Sequence, residues 1–510
     1  MEQASRHDLA QHTREWPLAG TAAFALIWIA ARACIQSITI DEADTYLAYV
    51  GTPAATHWLP SSNNHVLNSM LMRLFTSVFG VSNFTMRLPA LLGAVLYVGA
   101  VYLLVRLLAR RALPAWGLMA CLVLNPMVMD YLVAARGYSL ALGLLMSAIA
   151  VAARDRAAES DPRRTCSIVS VLLALSFAAN FSFALADAVT LAGIAGWCLP
   201  AKRTAREYWR IAVAATVPGL LVSLYLTGTI LAHWVRNDLR WGATTFAWSL
   251  QSIGEQCFYK LSPYLVNQPL YDFLSRYADV CLPLLGLACL WRLLVLLRER
   301  NRAHDGRTQW LVRLGLLACC GAVLTYALHA VLVWSFHVLW PRGRTGLFVP
   351  PLCTLAVGAL AALPSPSKVG AASQRAIAGL LAATGCYFIL CLRLTWFTEW
   401  YWNANADRLY QVVAHYNHAR DVRSIGTNWR YVAVLNYYRT ISGQETLEPI
   451  QLERPIPPGR PLYVLFPADD REFASREGLK VVYHDPLSDA WVAVRPELDG
   501  GTQRNGVPAY

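Results

Sequence analysis

The feature that most limits what this chain can fold into is its series of long, nearly uncharged apolar runs. A bilayer demands ~20 consecutive apolar residues for each helical span. About eleven stretches of the 510 residues approach that length: 17–34, 84–108, 113–129, 138–153, 165–179, 182–199, 211–231, 277–297, 311–334, 346–363 and 376–394. Composition agrees. Hydrophobic residues make up 56% of the chain, charged ones only 15%, and the mean hydropathy is +0.37; ordinary soluble domains are ~45–50% apolar and ~25% charged. A soluble enzyme and a disordered chain are both excluded. The expected fold class is an α-helical multi-pass membrane protein of about eleven transmembrane helices, with interfacial juxtamembrane helices and a small C-terminal α/β domain.

The formal net charge of +12 is read as topology, not as affinity for nucleic acid. Basic residues gather in every second connection: Arg110–Arg111; Arg154, Arg156, Arg163 and Arg164; Lys202, Arg203, Arg206 and Arg210; Arg298, Arg300, Arg302 and Arg307; Lys368 and Arg375. By the positive-inside rule these loops and the N-terminus are cytoplasmic. The alternation requires an odd number of spans, and everything after Leu394 then faces outward. The first span does not read as a cleaved signal, because Arg32 interrupts the small residues before Cys34. Of twelve cysteines, eleven lie in or beside apolar runs and only Cys257 falls in an expected exposed loop. With no CxxC pair they read as small buried hydrophobes.

The outward segments 35–83, 130–137, 232–276 and 336–344 carry the polar and aromatic residues. Stretches 41–50 and 65–79 alternate with roughly helical period and are expected to lie along the interface. Trp234, Trp241, Trp248, Tyr259 and Tyr264 read as an aromatic belt. Beyond residue 394 the composition turns soluble. Helices are expected at 403–420 and 429–438, and strands at 424–426, 462–466, 480–483 and 491–494. The division is therefore a membrane domain, 1–395, and an outward domain, 396–510.

Three carboxylates, Asp41, Glu42 and Asp44, follow the first span directly. Acids in a first helical turn complement the helix dipole, with Thr39 as the cap. An acidic pair at the membrane surface can equally deprotonate an acceptor hydroxyl or hold a divalent cation such as Mg or Mn. Arg136 lies in a tight outer turn, Arg342 and Arg344 in a Gly-flanked one, and Lys260 in the third outer segment. Forked, permanently charged guanidiniums suit phosphate, although an interfacial Arg also snorkels without function.

Four motifs in order resemble one family. Asp41-Glu42, then Asn64-His65-Val66-Leu67 with Phe79-Gly80, then Arg87-Leu88-Pro89-Ala90-Leu91-Leu92-Gly93, then Ala135-Arg136-Gly137-Tyr138 are similar to the polyprenyl-phosphate-sugar glycosyltransferases of the GT-C superfamily, the branch of the protein O-mannosyltransferases and the lipid A aminoarabinose transferase. The resemblance is specific from about residue 40 to 138 and architectural beyond. It implies a hydrophobic cleft that takes a lipid carrier from the bilayer and delivers its sugar to a glycan, lipid or protein acceptor outside, with inversion at the anomeric carbon by direct displacement. It carries over Asp41 as the acidic catalytic residue with Glu42 beside it, His65, Tyr138 and Asp44 as substrate contacts, and Arg136 as a donor-phosphate contact. Where such proteins have Pro after the His, Val66 stands here.

The chemistry of the residues agrees with that reading. A sugar on polyprenyl phosphate already has a good leaving group, so transfer needs a base for the acceptor and cations for the departing phosphate. Asp41 is the expected base or metal ligand; Arg136, Arg342, Arg344 and Lys260 are the expected phosphate contacts. Asp187, inside a span, is a functional suspect by its cost there. His329 reads as a satisfied buried histidine, and Glu255 and Asp238 as solvated loop acids. Forty Arg against four Lys points to a GC-rich bacterium, hence to the cytoplasmic (inner) membrane and an undecaprenyl or decaprenyl carrier. The alternatives are a transporter or flippase of lipid-linked sugars and an oligosaccharide polymerase or ligase. The first expects charged or broken helices in two matching halves at midplane; this chain holds its polar chemistry in outer loops.

Overall fold

The computed structural model describes residues 2–53, 61, 63–199, 204–233, 241–258, 276–299 and 305–499, with side chains from Glu15 onward. Eight segments among them are long and apolar enough to cross a membrane: Glu15–Ile35, Asn83–Leu108, Tyr138–Ala157, Phe181–Cys198, Ala205–Ala232, Tyr277–Arg298, Gly306–Phe336 and Gly343–Ala362. Their outer faces could not survive in water. Leu220, Leu221, Leu224 and Tyr225 on one helix and Leu287, Leu290, Leu294 and Leu297 on another are exposed, a surface that only lipid solvates. The chain is a multi-pass membrane protein.

Three of the eleven expected spans differ. The stretch 113–129 is two helices, Ala112–Val123 and Pro126–Tyr131, because Pro126 cannot continue a helix and Asn125 starts a new one by accepting from the Val128 amide at 3.3 Å. The other two, 165–179 and 376–394, are helical as Pro162–Ala179 and Lys368–Leu390. They fall outside the eight, since Arg163–Arg164 and Gln374–Arg375 extend them into polar sequence.

The chain forms two compact units. The first comprises Met1–Ala30, Trp58–Asn68 and Pro89–Leu392. Here small residues let helix backbones approach. A Cβ on Gly93 would lie 2.4 Å from the backbone between Ser139 and Leu140, and one on Gly143 would lie 2.4 Å from the Gly93 carbonyl. Helices Asn83–Leu108 and Tyr138–Ala157 are thereby locked in register beside the turn that precedes Tyr138, and Ser139 Oγ donates to the Ala90 carbonyl at 2.6 Å.

The second unit comprises Ala31–His57, Ser69–Leu88 and Arg393–Tyr510. Its sheet runs β1 (Ile425–Thr427), β2 (Leu462–Leu465), β4 (Trp491–Val494), β3 (Lys480–His484), with β1 and β2 parallel and the other pairs antiparallel. All four β2 residues are buried, as a central strand requires, while β3 ends the sheet with Lys480 exposed. Helices Ala406–Arg420 and Trp429–Ile441 match expectation within a few residues. A third helix, Pro467–Arg476, was not foreseen. Only Ala474 and Phe473 of it join the apolar core around Tyr463 and Leu465, too few to mark a helical stripe. Stretches 41–50 and 65–79 are the helix Ile40–Thr45 with a π-helical turn Tyr46–Val50, and the helix Val66–Phe79.

Gly93→Ala is expected to destabilise the protein by about 1–3 kcal/mol through overpacking. Gly99→Ala on the same helix meets no atom within 4 Å and is expected to be neutral or slightly stabilising. Thermal unfolding of the detergent-solubilised variants distinguishes them; equal shifts would remove the packing argument.

Candidate active site

In the second unit the acidic segment is built around one ion pair. Thr39 caps the helix Ile40–Thr45: its Oγ1 accepts from the Glu42 amide at 3.3 Å, and its own amide donates to Glu42 Oε2 at 2.9 Å. Glu42 also receives Arg87, Nε to Oε1 at 2.9 Å and Nη2 to Oε2 at 2.8 Å. The remaining Arg87 donors reach the carbonyls of Ala33 at 3.3 Å, Gln36 at 2.8 Å and Ser37 at 2.9 Å. All five N–H donors of the guanidinium are thus used, and both side chains of the pair are fully buried. Sequence reasoning quoted Arg87 as part of a motif but gave it no task. Its only signal was an arginine just inside the start of an apolar run.

Asn403 Oδ1 accepts from the Ile40 amide at 2.9 Å, and the Tyr438 hydroxyl accepts from the Ile38 amide at 3.2 Å. The amide of Asn83 donates to the same hydroxyl at 3.3 Å. Ser37 Oγ donates to Asp407. The Phe397 ring stands 5.1 Å from the Arg32 guanidinium and 5.5 Å from that of Arg87. Asp41 and Asp44 are half-buried on the same short helix, with the Asp41 carbonyl accepting from Thr45 Oγ1 at 2.9 Å. Glu42 Oε2 already accepts from both Arg87 and the Thr39 amide, and Oε1 from Arg87. Among the described residues there is no group of three or more His, Cys, Asp or Glu side chains that could hold a metal ion.

In the first unit the cationic residues converge. Gly137 has φ +74°, and a Cβ on it would lie 2.1 Å from the Ala179 carbonyl and 3.2 Å from His65 Cβ. This turn therefore admits only glycine, and it lies against His65 between Arg136 and Tyr138 in the chain. The Arg136 side chain is 2% exposed and donates to Asn63. The Tyr138 ring lies 5.7 Å from the His65 ring and 5.2 Å from that of Tyr131. His65 is buried, and neither ring nitrogen finds a hydrogen-bond partner among the described residues. Burial first, then the charges of Arg136 and Arg344, hold its pKa well below the ordinary histidine value. The imidazole is thus neutral, and both guanidiniums act on it electrostatically.

The Arg342–Arg344 turn is held from below. Gly343 has φ +48° and donates its amide to Ser252 Oγ at 3.0 Å, on the helix Phe246–Cys257. Arg342 lies 4.9 Å from the ring of Trp241 and 4.6 Å from that of Trp248, and Arg344 is 4.9 Å from Trp241. Two of the tryptophans expected as a membrane belt carry guanidiniums on their faces. Cys257, expected in an exposed loop, is buried at the end of that helix, its thiol 3.8 Å from the Met127 sulfur. Met127, on a separate helix, packs against it, a tertiary contact invisible in the loop-like composition.

The other candidates fall elsewhere. Lys260, Trp234, Asp238, Tyr259 and Tyr264 lie outside the described residues. Asp187 is buried and accepts from Ser176 Oγ of the neighbouring helix at 3.0 Å. His329 Nε2 lies 2.9 Å from the Leu339 carbonyl. Glu255 accepts from Gln251 at 2.8 Å on an exposed helix face. Asp41, Glu42 and Asp44 belong to one compact unit, and His65, Arg136, Tyr138, Arg342 and Arg344 to the other.

No family model matches the chain, and no curated protein does. Among solved structures the chain is similar to ArnT of Cupriavidus metallidurans in a crystal structure with undecaprenyl phosphate bound, at 13% identity and a TM-score of 0.47 over 95% of this chain and 99% of that one. It is also similar to the arabinofuranosyltransferase AftD from mycobacteria, at 17% identity and a TM-score of 0.44. That match covers 94% of this chain and 40% of AftD, so the chain spans about two fifths of its length.

Arg87→Met is expected to cost about 3–5 kcal/mol, because it leaves the Glu42 carboxylate buried and unpaired. The double variant Arg87→Met/Glu42→Gln is expected to recover a substantial part of that loss in thermal unfolding; additive losses would show that the pair is not coupled. A second expectation concerns pH. With a folded pKa below the unfolded value of about 6.5, His65 leaves the folded state with fewer bound protons than the unfolded one. Its contribution is intact above pH ~6.5 and is lost as pH falls from there through the lowered folded value. Wild type should therefore lose more melting temperature than His65→Gln between pH 7.5 and pH 5.5.

Proposed function

We propose that the protein is a membrane glycosyltransferase that moves a sugar from a polyprenyl-phosphate carrier to an acceptor on the outer face of the bacterial cytoplasmic membrane. The observation that carries this reading is the buried His65 imidazole, unpartnered among the described residues and flanked electrostatically by Arg136 and Arg344. Such a cluster suits the phosphate of a lipid-linked donor better than a neutral ligand. The motif series around Asp41, His65, Arg87 and Arg136 supports the same assignment. Residues 1–395 form the catalytic domain in this proposal, with the N-terminus cytoplasmic, and 396–510 face outward.

The proposed step is a single displacement. The acceptor hydroxyl or amine attacks the anomeric carbon, and its proton passes to the Asp41 carboxylate. The bond from the anomeric carbon to the phosphate oxygen breaks with its electron pair on the oxygen, and polyprenyl phosphate departs. Arg136 and Arg344, with Arg342 beside them, stabilise the charge that develops there. Inversion at the anomeric carbon follows from one displacement. Glu42, engaged by Arg87, fixes the helix that presents Asp41 and Asp44; Tyr138 is placed as a substrate contact beside His65. Lys260 remains a proposed phosphate contact.

The test is transfer from a synthetic polyprenyl-phosphate sugar by the purified full chain. Asp41→Asn is expected to lower turnover by roughly 10²–10⁴-fold while folding as wild type does. Arg136→Ala is expected to weaken donor binding by about tenfold or more. Full turnover by a folded Asp41→Asn protein removes Asp41 as the base, and unchanged donor affinity in Arg136→Ala removes the phosphate role. Absence of any transfer, with substrate crossing proteoliposome membranes instead, would replace the enzyme by a transporter.

A further inference from the structure

The first unit holds a second cationic concavity that the proposed transfer does not use. It lies at the opposite end of the 31-residue helix Gly306–Phe336 from the Arg342–Arg344 turn, a helix ~46 Å long at ~1.5 Å per residue. The cavity is about 280 Å³. Arg110, Arg111, Arg307 and Arg375 line it together with a single carboxylate, Asp305, a formal charge of four minus one, or +3. Arg110, Arg111 and Arg375 are exposed, whereas the interior is formed by apolar residues such as Leu108, Leu118 and Leu381, all buried.

The arginines arrive from different chain ends, so loop charge alone does not bring them together. Arg307 is positioned by donating to the carbonyls of Leu108 at 3.0 Å and Leu107 at 3.4 Å, which close the helix Asn83–Leu108. Asp305 is occupied as the cap of its own helix, accepting from the Thr308 amide at 3.2 Å, and Arg110 acts on it electrostatically. The helix Ala112–Val123 begins at Arg111 without a side-chain cap, so its positive N-terminal end adds to the field in the cavity.

We propose that this cavity binds the phosphate group of an anionic membrane phospholipid, with the apolar interior taking the first part of an acyl chain. A cationic mouth over an apolar floor, between membrane helices, matches a phosphodiester attached to hydrocarbon. A soluble phosphate would use the mouth and leave the floor unfilled. The volume suits a headgroup and not a whole lipid. The site is remote from His65, Arg136 and Arg344, and occupancy would tie together the helix ends at Leu108, Arg111, Arg307 and Arg375.

The test is thermal unfolding of delipidated full-length protein titrated with phosphatidylglycerol, phosphatidylcholine or inorganic phosphate. Phosphatidylglycerol is expected to raise the melting temperature saturably, and the other two are not. The variant Arg110→Gln/Arg375→Gln is expected to need about tenfold or more phosphatidylglycerol for the same shift. Arg163→Gln/Arg164→Gln, with the same loss of charge on another basic loop, is expected to respond as wild type does. An equal shift with phosphatidylcholine, or an unchanged response of the Arg110/Arg375 variant, overturns the site. An equal shift with inorganic phosphate overturns the lipid as its occupant. Should the double variant fail to fold, Arg375→Gln alone, read by retention of phosphatidylglycerol in native mass spectrometry, decides in the same way.

Discussion

The Arg87 guanidinium is the interaction on which the acidic segment depends. It satisfies five acceptors at once, two on Glu42 and three on the carbonyls that end the first membrane helix. Those carbonyls have no helical partner of their own, and Glu42 is fully buried, so each would be costly without it. The chain can therefore turn sharply from a membrane helix into a short acidic helix, with Asp41 and Asp44 left half-buried beside a neighbour that is spoken for. Measured against an apolar replacement, a buried pair of this kind contributes little net stability. Here the arrangement holds because Tyr438, Asn403 and Asp407 grip the same segment through its amides and Ser37.

The cationic cluster follows a different logic, in which backbone geometry places charge. Gly137 and Gly343 both adopt positive φ; Gly137 also lies against the Ala179 carbonyl, and Gly343 against the end of the Gln256 side chain. Each turn presents arginines: Arg136 reaches Asn63, and Arg342 and Arg344 lie on tryptophan faces. Guanidiniums held this way keep their charge and lose little further entropy when an anion arrives. His65 is kept neutral by burial first and by the charges of Arg136 and Arg344 second.

Much of this was legible in the residues. The motifs around Asp41, His65 and Arg136 marked out the segments that the two units build into their polar centres, and the C-terminal strands were found within a residue or two. What was not legible came from contacts between distant parts of the chain. Thr39 was legible as a helix cap, but nothing local shows that Glu42 receives Arg87, 45 positions away. Trp241 and Trp248 have the composition of a membrane belt whether or not an arginine stacks on them. Cys257 reads as a loop residue until Met127 packs against it. The break at Asn125-Pro126 was signalled by proline chemistry, yet apolar length outweighed it in the span count.

By itself the sequence determined that this chain must live in a membrane, because apolar runs of bilayer length cannot be solvated otherwise and because backbone groups in lipid have to bond within helices. It determined where the turns fall, through glycine, proline and capping residues whose preferences are local. Only the tertiary structure decided which charged groups meet. Glu42 is committed to Arg87, while His65 is left beside Arg136 and Arg344. The physical reason is that an ion pair or a desolvated imidazole is a property of two or more groups brought within a few ångströms, and spacing along the chain does not encode that distance.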